Sequence, residues 1–213
     1  MSMFSICTTF ITEGKLADTL SAMAAAEGGF TAEIGVLSRA FFQCTVQPHV
    51  VWAVTQWASE KHHNDAAQSI LKTRRDDRIA AIRFGPEPYF EIFCDEEAGL
   101  RVGEDLGGRR CIVVAHGLVS SRARERYLAL RRERVATAAG RIEWLRVFCN
   151  RYNADEFVAL LGFADEAAFG AAGEIEGLSL EEHLFTGLRQ PLGMSYLANY
   201  NQFVCAPLRL TGA

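Results

Sequence analysis

Apolar and polar positions along the chain alternate in two registers, and the registers change in a repeating order. Met3 to Thr12, rich in Phe, Ile and Thr, predicts a strand that Glu13-Gly14 ends. Lys15 to Glu27 carries Leu16, Leu20, Met23 and Ala24 at helical spacing and is closed by Gly28-Gly29. Gly35–Val46 and His49–Trp57 read as a hairpin across Gln47-Pro48. Ser59 is a suitable N-cap for a helix from Glu60 to about Arg75. Residues 74–88, charged and then Pro-interrupted, read as a loop, and Tyr89–Cys94 as a fourth strand.

The order then recurs. Cys111–Leu118 predicts a strand, Ser121–Ala139 a long helix, and Ile142–Asn150 with Glu156–Phe163 a second hairpin. Asp165 caps a further helix. Ser179-Leu180-Glu181-Glu182 has the form of a capping box opening a short helix to about Arg189, and Asn199–Leu208 supplies the last strand. Sliding the sequence on itself by 106 positions lays Val51–Glu60 on Phe157–Glu166, Val36–Phe42 on Ile142–Phe148, and Ile6-Cys7-Thr8-Thr9 on Ile112–Ala115. That period is too long for a solenoid and suits two copies of one small domain, over 1–95 and 109–213, with 96–108 as linker.

The expected class is α+β. Two tandem ferredoxin-like βαββαβ units each give a four-stranded antiparallel sheet with helices on one face. Each bare sheet face needs cover, so the sheets are expected to pack on one another, a dimeric-α+β-barrel-like arrangement within one chain.

Composition narrows the function classes. Of 213 residues 49% are hydrophobic, enough for a core, and the net charge of −4 offers no general field for nucleic acid. Neither half carries the basic, aromatic strand signature of an RNA-binding module. The arginines at 122, 124, 126, 131, 132 and 134 spread over several helix faces and read as a solvated surface. No apolar run is long enough to span a membrane. Six cysteines without a C-x-x-C pair, each in a strand segment, read as reduced core thiols, and the chain opens without a signal-peptide pattern, so a cytoplasmic protein is expected. No metal-ligand spacing stands out.

Candidate chemistry collects after the third strand. On the helix from Glu60, His63 shares a face with Ala66, Ala67, Ile70, Leu71 and Arg74, which points it at the sheet beside Trp57. His62 lies about 100° round the helix, at the rim. An imidazole in that place can take a proton from a phenol or polarise bound oxygen, and Trp57 can stack on a planar ligand. Asn64, Arg74 and Tyr89 are the polar groups available to orient it. The plain alternative is that Trp57 is core and His63 holds a buried carbonyl. Against it, the positions 106 further on are Phe163, Ala168 and Phe169, so the fold accepts Phe where His63 stands.

The stretch Val50-Val51-Trp52-Ala53-Val54-Thr55-Gln56-Trp57-Ala58-Ser59-Glu60-Lys61-His62-His63 resembles the antibiotic biosynthesis monooxygenase-like family of the dimeric α+β barrel superfamily: a strand, a Trp, a short acidic or small-residue step, and a helix carrying histidine. The resemblance, taken over two fused domains, implies a cavity between sheet and helices. It implies a small hydrophobic or aromatic molecule as partner, and cofactor-free oxidation of quinol- or anthrone-like compounds, with His63 and Trp57 as catalytic residues and His62, Asn64, Arg74 and Tyr89 around the substrate. A non-catalytic binding or stress-response role, or haem binding through His63, are the other activities found on this fold. No nucleic-acid or membrane partner is expected, and the chain is read as a monomer or homodimer.

Overall fold

The computed structural model describes residues 2–73, 89–97, 99–104, 108–119, 124–137, 142–172, 174–175, 178–179 and 197–210, with the side chains of 69–73, 89–90, 130, 134, 137, 172, 174–175, 178–179 and 197–202 left aside. The elements are β1 (Met3–Phe10), α1 (Leu16–Glu27), β2 (Val36–Cys44), β3 (Val50–Trp57), α2 (Glu60–Thr73), β4 (Tyr89–Glu96), β5 (Cys111–Val119), α3 (Arg124–Thr137), β6 (Trp144–Asn150), β7 (Glu156–Phe163), α4 (Glu166–Ala172), β8 (Glu174–Ile175), β9 (Leu178–Ser179) and β10 (Leu197–Pro207). The chain divides into two compact units, Met1–Asp95 with Ala206–Ala213, and Glu96–Cys205.

Each unit holds an antiparallel sheet built in the same way. In the first the order is β4-β1-β3-β2, and in the second β10-β5-β7-β6. The hairpin strand of each sheet, β3 or β7, sits in the middle, and this explains its continuous apolar run. Every residue of β7 is buried, and all of β3 except Gln56, because both faces are covered. Two helices in each unit complete a βαββαβ order, and the α+β class follows.

Period-two alternation sorts the first sheet into two faces. One packs on the helices, in two clusters. Ile11, Phe41, Val51, Ala53 and Cys7 meet Leu16, Leu20 and Met23 of α1. Met3, Val36, Trp57 and Phe93 meet Ala66 of α2. In the second unit the corresponding face carries Cys111, Val113, Ala115, Phe157, Ala159, Leu161 and Phe163, against Tyr127, Leu128 and Val135 of α3 and Phe169 of α4.

Several elements differ from the sequence reading. Residues 96–104 are not a free connection: Leu100 is fully buried, Val102 bridges Leu145, and Arg146 donates to the carbonyls of Val102 and Glu104. The run looked aperiodic because, among its described residues, Leu100 and Val102 are the apolar side chains that turn inward. Ser179 lies in β9, paired with Glu174, and the helix expected from there to about Arg189 lies outside the described residues. Arg131 is buried, not solvated, and donates to the hydroxyl of Tyr127 one helical turn earlier. Arg126 and Arg132 are exposed as read, and Arg122 lies outside the described residues.

Strand pairing also refines the internal correspondence. Met3 faces Trp57 as Cys111 faces Phe163, so β1 aligns with β5 two positions beyond the slide that suits β3 and β7. Cys7 therefore corresponds to Ala115 and Thr8 to His116. A shift of two preserves which face each side chain takes, and for that reason the sequence pattern tolerated it.

Gly35 closes the short 3₁₀ turn Ala32–Ile34 at φ +87°, and a Cβ there would stand 2.5 Å from the ring of His62. Gly35→Ala is expected to cost about 1–3 kcal/mol, through the left-handed backbone and the displaced imidazole. A thermal melt checks it, at about 2–4 °C per kcal/mol for a chain of this size.

Candidate functional site: a buried imidazole–carboxylate pair

The site begins at the start of α2. Ser59 accepts the His62 backbone N–H on Oγ at 3.3 Å, capping the helix. Its Oγ also lies 2.7 Å from His62 Nδ1, so His62 is tied to the cap with its ring over Gly35. The next residue, 100° round the helix, enters the core: His63 is 8% exposed.

The His63 ring stands edge-on to two aromatic rings, Trp57 at 5.1 Å and Phe93 at 4.7 Å between centroids. Trp57, at the end of β3, is itself fixed by a hydrogen bond from Nε1 to Ser5 Oγ at 3.0 Å. His63 Nε2 faces Glu91 Oε1 at 3.4 Å, and Nδ1 lies 3.2 Å from Asn64 Oδ1. Cys7 donates its thiol to the same Glu91 oxygen at 3.2 Å. Cys7 and Glu91 are direct partners on β1 and β4, which accounts for the thiol and the carboxylate emerging side by side.

Both ring nitrogens thus face oxygen atoms, an arrangement that only the imidazolium satisfies fully. Burial works to lower the His63 pKa. The hydrogen bonds to Glu91 and Asn64 and the charges of Glu91 and Glu60 outweigh it, and the net shift is upward from 6.5. Chemically this is a base with a built-in counter-ion: the carboxylate stabilises the cation formed when the ring takes a proton.

Of the residues singled out from sequence, Trp57, His63 and Asn64 come together. His62 is exposed and engaged with the cap and Gly35. Tyr89 occupies β4 opposite Thr9, with its side chain outside the described residues, and Arg74 lies outside them altogether. Glu91, Cys7 and Ser5 were missed. The available signal was Glu91 itself, an acid at an inward position of an otherwise apolar alternating strand. Among the described residues a surface cavity of about 590 Å³ opens at the β1–α1 turn beside Ile11, Leu16, Pro48 and His49; neither His63 nor Glu91 lines it.

The second unit lacks this chemistry. By the ladder correspondence Ser5 becomes Val113, Cys7 becomes Ala115, Trp57 becomes Phe163 and Phe93 becomes Val204, while His63 corresponds to Phe169 by the sequence slide. Phe163 and Phe169 rings meet at 5.2 Å, in place of the Trp57–His63 contact.

The six cysteines are free thiols, five of them buried and Cys7 half-buried. Burial pushes the Cys111 thiol up to about 11, aided by the charges of Glu166 and Asp165. At pH 8 about one Cys111 in a thousand is then thiolate. Iodoacetamide on native protein is expected to label Cys7 before the other five, read by peptide mass spectrometry.

No protein-family model and no curated protein matches the sequence. Solved structures do. An anthrone oxidase-like protein matches with a TM-score of 0.71 at 11% identity, over 98% of this chain and 91% of its own. A proposed monooxygenase of Fusobacterium nucleatum matches at TM-score 0.67 and 11% identity, over 98% and 93%. A point variant of the chlorite dismutase of Candidatus Nitrospira defluvii matches at 0.60 and 12%, over 98% and 92%. This chain shares the fold of these structures. The likeness runs through both units, and at these identities it is a likeness of fold alone. Among the described residues no helix is long and apolar enough to cross a membrane.

Proposed function

We propose that this chain is a cofactor-independent monooxygenase-like protein that oxidises a small hydrophobic aromatic of the quinol or anthrone type in the first unit. The observation that carries the reading is the His63–Glu91 pair, set beneath α2 among aromatic rings, where the second unit has Phe169 and, opposite Ala115 in the ladder, the uncharged Gln202. A buried charge-bearing pair is not needed where an uncharged set occupies the same positions. The likeness to an anthrone oxidase-like protein supports the substrate class.

In this reading His63 takes the proton of the acidic C–H or O–H of the substrate, and Glu91 stabilises the imidazolium. The electron-rich carbanion or phenolate then reduces dioxygen. For an anthrone-type methylene the balance is R₂CH₂ + O₂ → R₂C=O + H₂O, with one oxygen atom retained and the other leaving as water. Trp57 and Phe93 hold the imidazole in place and keep water from it. The two units are read as copies of one ancestral domain, over 1–95 and 109–213, of which the first keeps the site.

Taking a proton from substrate, like ligating haem, needs one ring nitrogen of His63 released from Glu91 or Asn64, to which both are turned. Oxygen uptake with a panel of anthrones and hydroquinones tests the proposal. Uptake that the protein accelerates and His63→Ala abolishes supports it. Uptake that survives in His63→Ala removes His63 as base, and binding without uptake favours a non-catalytic binding protein.

A further inference from the structure

The surface cavity at the β1–α1 turn has a chemistry of its own. It opens between that turn and the β2–β3 hairpin, with a volume of about 590 Å³. Ile11, Leu16 and Pro48 give it an apolar wall, and Ile11 and Leu16 belong to the core cluster beneath α1. Glu13 and His49 are the titratable groups of the lining, both exposed. Among the described residues neither side chain has a hydrogen-bond or ion-pair partner. No lysine or arginine lines the cavity, and Lys15, next along the chain, lies 3.8 Å from Asp18. A carboxylate therefore stands over an apolar wall with no cation opposite it.

The second unit shows what this corner of the fold accepts. Strand and hairpin are tied alike in the two units: Ile11 N–H donates to the His49 carbonyl at 2.7 Å, and Val119 N–H to that of Asp155 at 2.7 Å. Pro48 thus corresponds to Ala154, and Leu16, which opens α1, to Arg124, which opens α3. Arg124 folds back onto its hairpin and donates Nε to the Ala154 carbonyl at 3.0 Å. Its guanidinium also donates to Glu125 at 3.1 Å and to Glu97 at 3.4 Å. A cation held by carboxylates therefore sits against the hairpin there. In the first unit Leu16 brings no charge to that place, and the Pro48 carbonyl accepts Gln43 Nε2 at 2.8 Å. The carboxylate of Glu13 stays without the cation.

We propose that this cavity is a binding site for a small organic cation, a protonated amine carried on an apolar body. The ammonium takes the place that Arg124 fills in the second unit and donates to the Glu13 carboxylate and to a ring nitrogen of His49. The apolar body covers Ile11, Leu16 and Pro48. The helix α1 opens without a side-chain cap, which taken alone favours an anion, and the Glu13 carboxylate in the same lining opposes one. The site stands apart from the oxidation proposed at His63, and its ligand is not that reaction's substrate.

Titration with 2-naphthylmethylamine, 2-naphthylmethanol and 2-naphthoic acid, followed by backbone amide signals in NMR, tests it. The three probes share a ring system and differ in charge. The amine is expected to shift the Gly14, Leu16 and His49 signals and to bind about fivefold tighter than the alcohol, the worth of one exposed ion pair, with the acid weakest. Glu13→Gln, a change at an exposed position, should bring the amine to the level of the alcohol. Leu16→Arg, which installs the second unit's residue, should abolish binding of all three at this place, with a thermal melt confirming the folded state. His63→Phe should leave the preference for the amine intact. Unshifted signals at these residues with every probe, equal affinity for amine and alcohol, tighter binding of the acid, or a preference that survives Glu13→Gln would each overturn the proposal.

Discussion

His63→Phe is expected to lower turnover of an anthrone or quinol substrate by about 10²–10⁴, the ordinary worth of a positioned base, while leaving the protein folded. The expectation of a small structural effect comes from the second unit. Phe169 holds the matching place on α4 and packs on Phe163 with centroids 5.2 Å apart, as His63 packs on Trp57. The lost interaction is the hydrogen bond to Glu91, whose side chain is 21% exposed and regains water when the imidazole goes. A cost of about 1 kcal/mol, or 2–4 °C in Tm, is the scale for that loss. Oxygen uptake and a thermal melt on the same preparation check both halves of the statement. A large fall in Tm with uptake unchanged would make His63 a structural strut between helix and sheet.

Why His63 was legible in the sequence and Glu91 was not is a matter of range. The inward direction of His63 follows from helical period alone, since Ala66 and Ala67 mark the buried face of α2 within a few residues. The sheets were legible for the same local reason: β3 and β7 are continuous apolar runs, and each hairpin is bounded by turn residues. Glu91 and Cys7 meet only through the β1–β4 ladder, 84 positions apart. Nothing local reports that pairing: Glu91 stands out only as an acid at an inward strand position, and Cys7 reads as an ordinary strand member. His116 of β5 and Glu156 of β7, which meet at 2.7 Å, are separated by 40 positions and were equally hidden. Arg131 shows the limit of charge counting: one buried arginine with a tyrosine one turn away cannot be told from its exposed neighbours without knowing which face meets the sheet.

Glu91→Gln is expected to change the pH dependence of turnover in a way that a merely structural change would not. In the native protein the base works when neutral, so the rate should rise with pH through the His63 pKa, which lies above the ordinary 6.5 because Glu91 and Asn64 together outweigh burial. Removing the carboxylate's charge leaves burial less opposed, and the inflection should move down. A less basic imidazole abstracts a proton more slowly, so the high-pH plateau should fall, by about tenfold on Brønsted grounds. At acid pH the deficit should narrow, since more of the variant's imidazole is already neutral there. Stability should follow the same linkage with a defined sign. A raised folded-state pKa gives stabilisation fully present below pH 6.5 and lost as pH rises through the native value. Native protein should therefore lose some stability across that interval, and Glu91→Gln should be flat through it. The measurements are a kcat/KM profile and Tm as a function of pH. An unshifted inflection, together with an unchanged Tm–pH curve, would remove Glu91 as the partner that sets the charge on His63.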